Sequence, residues 1–188
     1  MATYDLASLD EVKEYMGMTG SQSGVDDTLE DLITRISDLF HNYCKVTQFK
    51  TKTYTEYYSG QGNQELFLDQ RPIQTITSIK QDSEWTFGAD STFAAGNYAI
   101  LDDRVVMKDN YFREGIRNIK IVYTAGYDTI PGDLKQACIE EVVRKFKKRE
   151  NVDVLSRTSI DGGITKVADG LLADTITILK RYLGTGVY

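Results

Sequence analysis

Apolar residues recur along this chain at two different periods, and the change from one to the other divides it. Leu29, Leu32, Ile33, Ile36, Leu39, Phe40, Tyr43 and Cys44 fall within about 140° of arc at 100° per residue, which predicts a long amphipathic helix. Asp26 and Asp27 open it at the positive end of its dipole. The preceding stretch SLDEVKEYM carries a capping box, with Ser8 able to accept from the Glu11 amide and the Glu11 carboxylate reaching back. Leu9, Val12, Tyr15 and Met16 give this shorter helix an apolar side, and Gly17 is placed to end it. GSQSG, residues 20–24, reads as a loop between the two.

From residue 51 the period shortens. TKTYTEYY (51–58) is rich in Thr and Tyr, which favour strands, and SGQGN follows as turn material. ELFLD and IQTITSIK flank Arg71-Pro72, a natural strand interruption. After a loop around Gly88 to Gly96, YAIL and RVVM flank Asp102-Asp103 and predict a hairpin. RNIKIVY (117–123) sets Ile119, Ile121 and Tyr123 against Asn118, Lys120 and Val122, the alternation of a half-buried strand. Residues 51–123 therefore predict a small, mostly antiparallel sheet.

The junction that follows is closely specified. Gly126 supplies a bend, Pro131 sits where the first helical position is expected, and Asp133 lies in the first turn. Leu134, Ala137, Cys138, Ile139, Val142, Val143 and Phe146 spread over more than half of the helix circumference, so this helix packs on more than one neighbour. Lys147, Lys148 and Arg149 suit the negative end of its dipole. Beyond residue 150, VLSRTSIDGGITKVADG reads as extended, with Gly162-Gly163 as a flexible point. LLADTITILKRYL places Leu171, Ile176, Leu179 and Leu183 on one helical stripe, with Ile178 and Tyr182 off it. That stripe either packs as a satellite of the core or docks on a partner. The fold class expected is α+β in one domain over residues 1–188. Its helical core comprises an N-terminal helix pair (1–50), a long central helix (131–150) and a C-terminal arm with a short helix (151–188), and a β-rich insertion occupies about 51–123.

Composition narrows the chemistry. With 188 residues, 41% hydrophobic and 27% charged, the chain has the make-up of a globular domain, enriched only in tyrosine, of which there are 12. Its net charge of −6 argues against phosphate backbone as the main partner, and RKFKKR (144–149) is the one basic run. No apolar run reaches transmembrane length and the N-terminus has no signal-peptide pattern, so a soluble protein made in the cytoplasm and free of membrane is expected. Cys44 and Cys138 have no metal-ligand spacing and read as core thiols. His41 is the single histidine, which excludes a two-histidine metal site, and it reads as a solvated residue on the polar side of its helix.

Asp102-Asp103 suit a turn better than a glycosidase pair, whose carboxyls must face each other across a substrate. GGITK lacks the spacing of a phosphate loop, GQGNQE lacks the third glycine of a dinucleotide fingerprint, and Asp26-Asp27 lack the alternation of a calcium loop. No serine sits in a nucleophile elbow. The sequence therefore points to no enzyme, with no catalytic, cofactor-binding or metal-binding residue to name.

Three stretches together resemble the head–tail connector (adaptor) proteins of tailed phages. VYTAGYDTIPGDLKQA is similar to that family's strand–Gly–Tyr–Pro–helix junction, SLDEVKEYMGMT with DDTLEDLITRISDLFHNYC to its N-terminal helix pair, and LKRYLGTGVY to its C-terminal helix. The resemblance covers roughly half of the chain in the family's order, and the region 51–123 is longer than in compact members. It implies a homo-oligomeric ring, usually of twelve copies, that sits under the portal in the virion, continues the DNA channel and presents a surface to the next neck protein. It also implies portal contact through Leu179, Lys180, Arg181, Tyr182 and Tyr188, and contact between subunits near Arg149. DNA would be passing cargo, which an acidic body suits, because a lumen bearing acids repels phosphate. The rival expectations are a stopper or tail-completion neck protein and, more remotely, a carboxylate-dependent hydrolase.

Overall fold

In the computed structural model, which describes residues 4–149, 156–158, 164–166 and 170–183, the chain forms two units. One joins Met1–Cys44 to Ile130–Leu183, and the other is Lys45–Thr129. The described residues make an α+β fold with four α-helices and antiparallel sheets.

The helical unit begins with α1 (Leu9–Met16), whose capping box forms as the sequence predicts: the Glu11 amide donates to Ser8 Oγ (3.2 Å) and the Ser8 amide to Glu11 Oε2 (2.8 Å). Gly17 closes it at φ 68°, a left-handed position that glycine takes without strain. Helix α2 (Ser23–Cys44) starts inside the predicted loop, because Lys13 binds Asp26 (2.9 Å) and fixes the first turn against α1. Helix α3 (Gly132–Lys148) packs against α1, α2 and α4 (Ala173–Arg181), as its broad apolar surface requires. Val12, Leu29, Ile33, Phe40, Leu134, Val142 and Leu179 are fully buried in this unit. Each such aliphatic or aromatic side chain contributes roughly 1.5–3 kcal/mol. Cys44 and Cys138 are core thiols, and burial pushes Cys138 up to about 12.

Two expectations are corrected here. Tyr15 and Leu39, read as apolar-face residues, are 51% and 41% exposed, because the stripe that α1 and α2 bury is narrower than the one the sequence presents. His41, read as solvated, is 4% exposed and stacks edge-on against Tyr4 (5.8 Å), since the segment ahead of α1 lies over it. Burial lowers its pKa to about 4 against a smaller opposing pull from Asp38. Strands β7 (Ser156–Thr158) and β8 (Ile164–Lys166) pair antiparallel, in line with the extended reading, whereas Gly162-Gly163 lie outside the described residues.

The other unit holds two three-stranded antiparallel sheets where one was expected. In the first, β6 (Gly115–Ala125) runs between β1 (Lys52–Gly60) and β3 (Ile73–Gln81). In the second, β5 (Arg104–Met107) runs between β2 (Glu65–Phe67) and β4 (Tyr98–Ile100). Ile119, Ile121 and Tyr123 point inward, and Val105 and Met107 from the second sheet join them in one core with Phe112. Asn118 is the exception in the alternation. It is buried because its amide accepts from Gly60 N (2.9 Å) and donates to Arg113 O (2.9 Å), which closes the irregular end of the β1–β6 ladder. After β6, Gly126 (φ 110°) passes so close to residues 49 and 50 that a β-carbon there would lie 2.6 Å from the Lys50 carbonyl oxygen. Asp102-Asp103 form the β4–β5 turn.

Candidate functional site

The C-terminal helix and the first sheet carry the most developed side-chain networks among the described residues. Helix α4 has no capping side chain of its own at Leu172. Glu141, fully buried on α3, supplies the missing acceptor: its Oε1 takes the Leu172 amide at 2.6 Å, while Oε2 takes both Nε and Nη2 of Arg144 (2.9 and 2.6 Å). Arg144 also donates to Gly170 O. A carboxylate at the start of α4 further complements the positive end of that helix dipole. At the other end, Tyr182 Oη donates to Asp133 Oδ1 (2.6 Å), with Arg181 3.8 Å from Oδ2 of the same acid.

This arrangement sorts the residues named for portal contact. Leu179 is fully buried and its carbonyl accepts from Cys44 Sγ (3.5 Å), so its side chain belongs to the core. Thr175, one turn earlier, is buried too. Lys180 and Arg181 are exposed, Tyr182 is half-buried with its hydroxyl held by Asp133, and Tyr188 lies outside the described residues. Arg149 is exposed at the end of α3 and stacks on Phe146, 3.7 Å from the ring centre. The sequence reading missed Glu141. Its one local signal was the three-residue spacing to Arg144, which on a helix brings opposite charges together.

The sheet unit contains a polar cluster around Glu56. Tyr58 and Tyr123 both donate their hydroxyls to Glu56 Oε2, and Gln70 Nε2 approaches Oε1 (3.4 Å). The tyrosine oxygens accept in turn from the amides of Asp69 (2.9 Å) and Gln70 (3.1 Å). Burial, reinforced by the Glu56 charge, pushes both phenols well above the ordinary range and raises Asp69 as well. A carboxylate so occupied is a hub that orders the β1–β2 region. A cleft of about 540 Å³ lined by Tyr58, Asn63, Gln64 and Asp69 lies beside it.

On the opposite face of this sheet stands an ordered knob. Asp82 accepts from the Glu84 amide (2.9 Å), the Phe87 amide (2.8 Å) and Thr86 Oγ1 (2.6 Å), and these bonds hold its carboxyl below the usual range. Lys80 Nζ donates to Phe87 O (2.8 Å), and Trp85 Nε1 to Ile116 O (3.0 Å). Trp85 and Ile116 remain 62% and 77% exposed. Phe87 meets Tyr57 edge-on (5.6 Å), and Arg117 and Lys120 lie over the Tyr57 ring at 5.4 and 5.7 Å.

Three solved structures share the fold. They are described as the neck of an empty GTA particle computed with C6 symmetry (TM-score 0.61), the virion of a native gene transfer agent (GTA) particle (0.62), and the neck of a native GTA particle computed with C12 symmetry (0.56). Each is 14% identical, over 96% of this chain and 90% of the matched chain. No curated protein gives a match. Residues 5–178, from the segment ahead of α1 through both units to the middle of α4, match the family described as Head completion protein, in agreement with the head–tail resemblance in the sequence. On that span the chain belongs to the Head completion protein family.

Proposed function

We propose that this chain is a non-enzymatic structural connector at the head–tail junction of a tailed-phage particle, where copies of it form a ring, twelve-fold by expectation, beneath the portal. The family match over residues 5–178 carries the reading. It is supported by likeness to chains from particle necks whose structures were computed with C6 and C12 symmetry. The ring extends the DNA channel and offers the next neck protein its docking surface. The acidic body, −6 overall, suits a conduit through which duplex slides without binding. Lys180, Arg181, Tyr182 and Tyr188 face the portal in this reading, with buried Leu179 fixing the helix that carries them.

Electron microscopy of the chain with and without portal protein tests the reading, alongside a variant truncated after Gly170. Rings on portal, lost with the truncation, are expected. Portal binding that survives truncation overturns the role of α4. Co-sedimentation with tail proteins and not with portal assigns the chain instead to a stopper or tail-completion position.

A further inference from the structure

Among the described residues, four outside glycine have positive φ, and three of them meet at the knob: Trp85 (59°), Phe87 (49°) and Arg117 (48°). Left-handed backbone at a bulky residue costs about 1–3 kcal/mol and persists only where its surroundings enforce it. Here the Asp82 bonds, the Lys80 bond and the Trp85–Ile116 bond enforce it. What the strain achieves is to hold an indole and an isoleucine out in solvent, on the same sheet that carries Arg117 and Lys120 over the Tyr57 ring. Trp, Tyr and Arg on a rigid support are the residue types that anchor protein interfaces, and order before binding lowers the entropy lost on docking.

The surface that complements this knob is on the same chain. Residues 1–44 carry nine Asp and Glu against two Lys and Arg, a net −7, whereas residues 45–129 carry eleven against ten, a net −1. On α2, Asp27, Asp31 and Asp38 are exposed and fall within about 40° of arc at 100° per residue. Leu39, exposed at 41%, lies about 80–120° further round the helix, beyond Arg35. Arg35 pairs with Asp31 (2.7 Å) in an exposed i,i+4 bridge, a contact weak enough to exchange for another cation. An exposed acidic stripe on α2 thus matches an apolar knob on the sheet that carries two cations.

We propose that the Trp85–Ile116 knob of one copy, with Arg117 and Lys120, docks on the acidic face of α2 of a second copy. The two surfaces differ, so the contact is head-to-tail and propagates from copy to copy, which is the geometry a ring requires. The inference rests on the ring reading above and supplies the surfaces through which it forms.

The test uses the full chain at micromolar to millimolar concentration, followed by sedimentation and small-angle scattering. One variant combines Arg117→Glu with Lys120→Glu, a second combines Asp31→Lys with Asp38→Lys, and a third, Trp85→Asn, removes the anchor with a residue that tolerates left-handed backbone. Each is expected to weaken self-association by about tenfold or more, with circular dichroism and unfolding temperature unchanged. Mixed in equal amounts, the first two variants are expected to associate with each other more strongly than either does with itself, because the knob of the second meets the acidic face of the first and their two reversed surfaces also carry opposite charges. Self-association of all three variants at wild-type strength overturns the inference and leaves the ring reading standing. A wild-type chain that stays monomeric up to millimolar concentration overturns it too, with the ring itself then judged by the portal experiment. Loss of duplex DNA retention by the Arg117→Glu, Lys120→Glu variant with assembly intact assigns these cations to nucleic acid and equally overturns it.

Discussion

Removing the Glu141 side chain is the most direct way to ask whether α4 is held from below by α3. The Glu141→Ala substitution takes the acceptor from the Leu172 amide and from two guanidinium nitrogens of Arg144. Breaking a buried ion pair by deleting one member costs about 3–5 kcal/mol. Arg144 is 19% exposed and keeps Gly170 O, so its share lies below that range, whereas the uncapped Leu172 amide adds about 1 kcal/mol. The sum is about 3 kcal/mol, which lowers the unfolding temperature by roughly 6–12 °C for a chain of this size. The loss has an address. Amide hydrogen exchange should accelerate first at residues 172–181, and Glu141→Gln, which can still accept from Leu172, should show about half of the effect. A Glu141→Ala protein within about 0.5 kcal/mol of wild type, or faster exchange spread evenly over the helical unit, refutes the clamp.

Two further predictions concern burial and backbone. His41 is the only histidine, so its imidazole signal in proton NMR needs no assignment, and it is expected to titrate near pH 4 and not near 6.5. Its folded pKa lies below its unfolded one, so the folded state binds fewer protons, and stability falls as pH drops from about 6.5 towards 4, by up to about 1.4 kcal/mol per pH unit. His41→Gln should flatten that part of the pH–stability curve, and a wild-type midpoint near 6.5 contradicts the buried placement. Gly126→Ala should be far more damaging than Gly62→Ala. Both have positive φ, but a β-carbon at Gly126 meets backbone atoms of residues 49 and 50 whereas one at Gly62 meets nothing, so costs of more than about 3 and of about 1–2 kcal/mol are expected. Equal shifts in urea midpoint for the two variants would remove the close-approach argument.

The helices were legible in the sequence because their signals are local. The Ser8–Glu11 box, Gly17 and Pro131 each act within one turn; the first two work where the sequence puts them, and Pro131 stands at the N-cap of α3, one residue ahead of the first helical position expected for it. The alternation in β6 was equally plain, since one face of a half-buried strand must be apolar. What escaped is non-local. That β2 pairs with β5 and makes a second sheet depends on which strands meet, a choice that short strands do not announce. His41 is buried by Tyr4, 37 residues earlier in the chain, and Glu141 by an amide 31 residues later, so neither position looks like core from its neighbours. The knob left the least trace. Trp85, Phe87 and Arg117 are residue types that avoid left-handed backbone, and only the assembled hydrogen bonds put them there.

That last point bears on how small a contact would suffice to hold the proposed ring. The knob offers two apolar anchors and two cations, far less than the usual area of a stable pairwise interface. A closed ring, however, has one more contact than an open row of the same copies, and the closing contact forms intramolecularly at an effective concentration in the millimolar range. Each contact then needs a dissociation constant of only about 1 mM, or about −4 kcal/mol, to favour closure. Weak pairwise docking is an advantage here, because a head-to-tail contact strong enough to hold two copies alone would also build open filaments wherever the rotation failed to close. In the proposed ring a rigid, strained knob would serve that requirement better than a larger soft patch, because it would fix the angle at which copies meet as well as anchor them. If Trp85→Gly, which relieves the left-handed strain and loosens the loop, gave open or irregular assemblies in electron micrographs where Trp85→Asn, which lacks the same indole, gave closed rings, angle would be separated from affinity. If the variant merely shifted the concentration at which regular rings appear, the knob would be an adhesive and not a gauge.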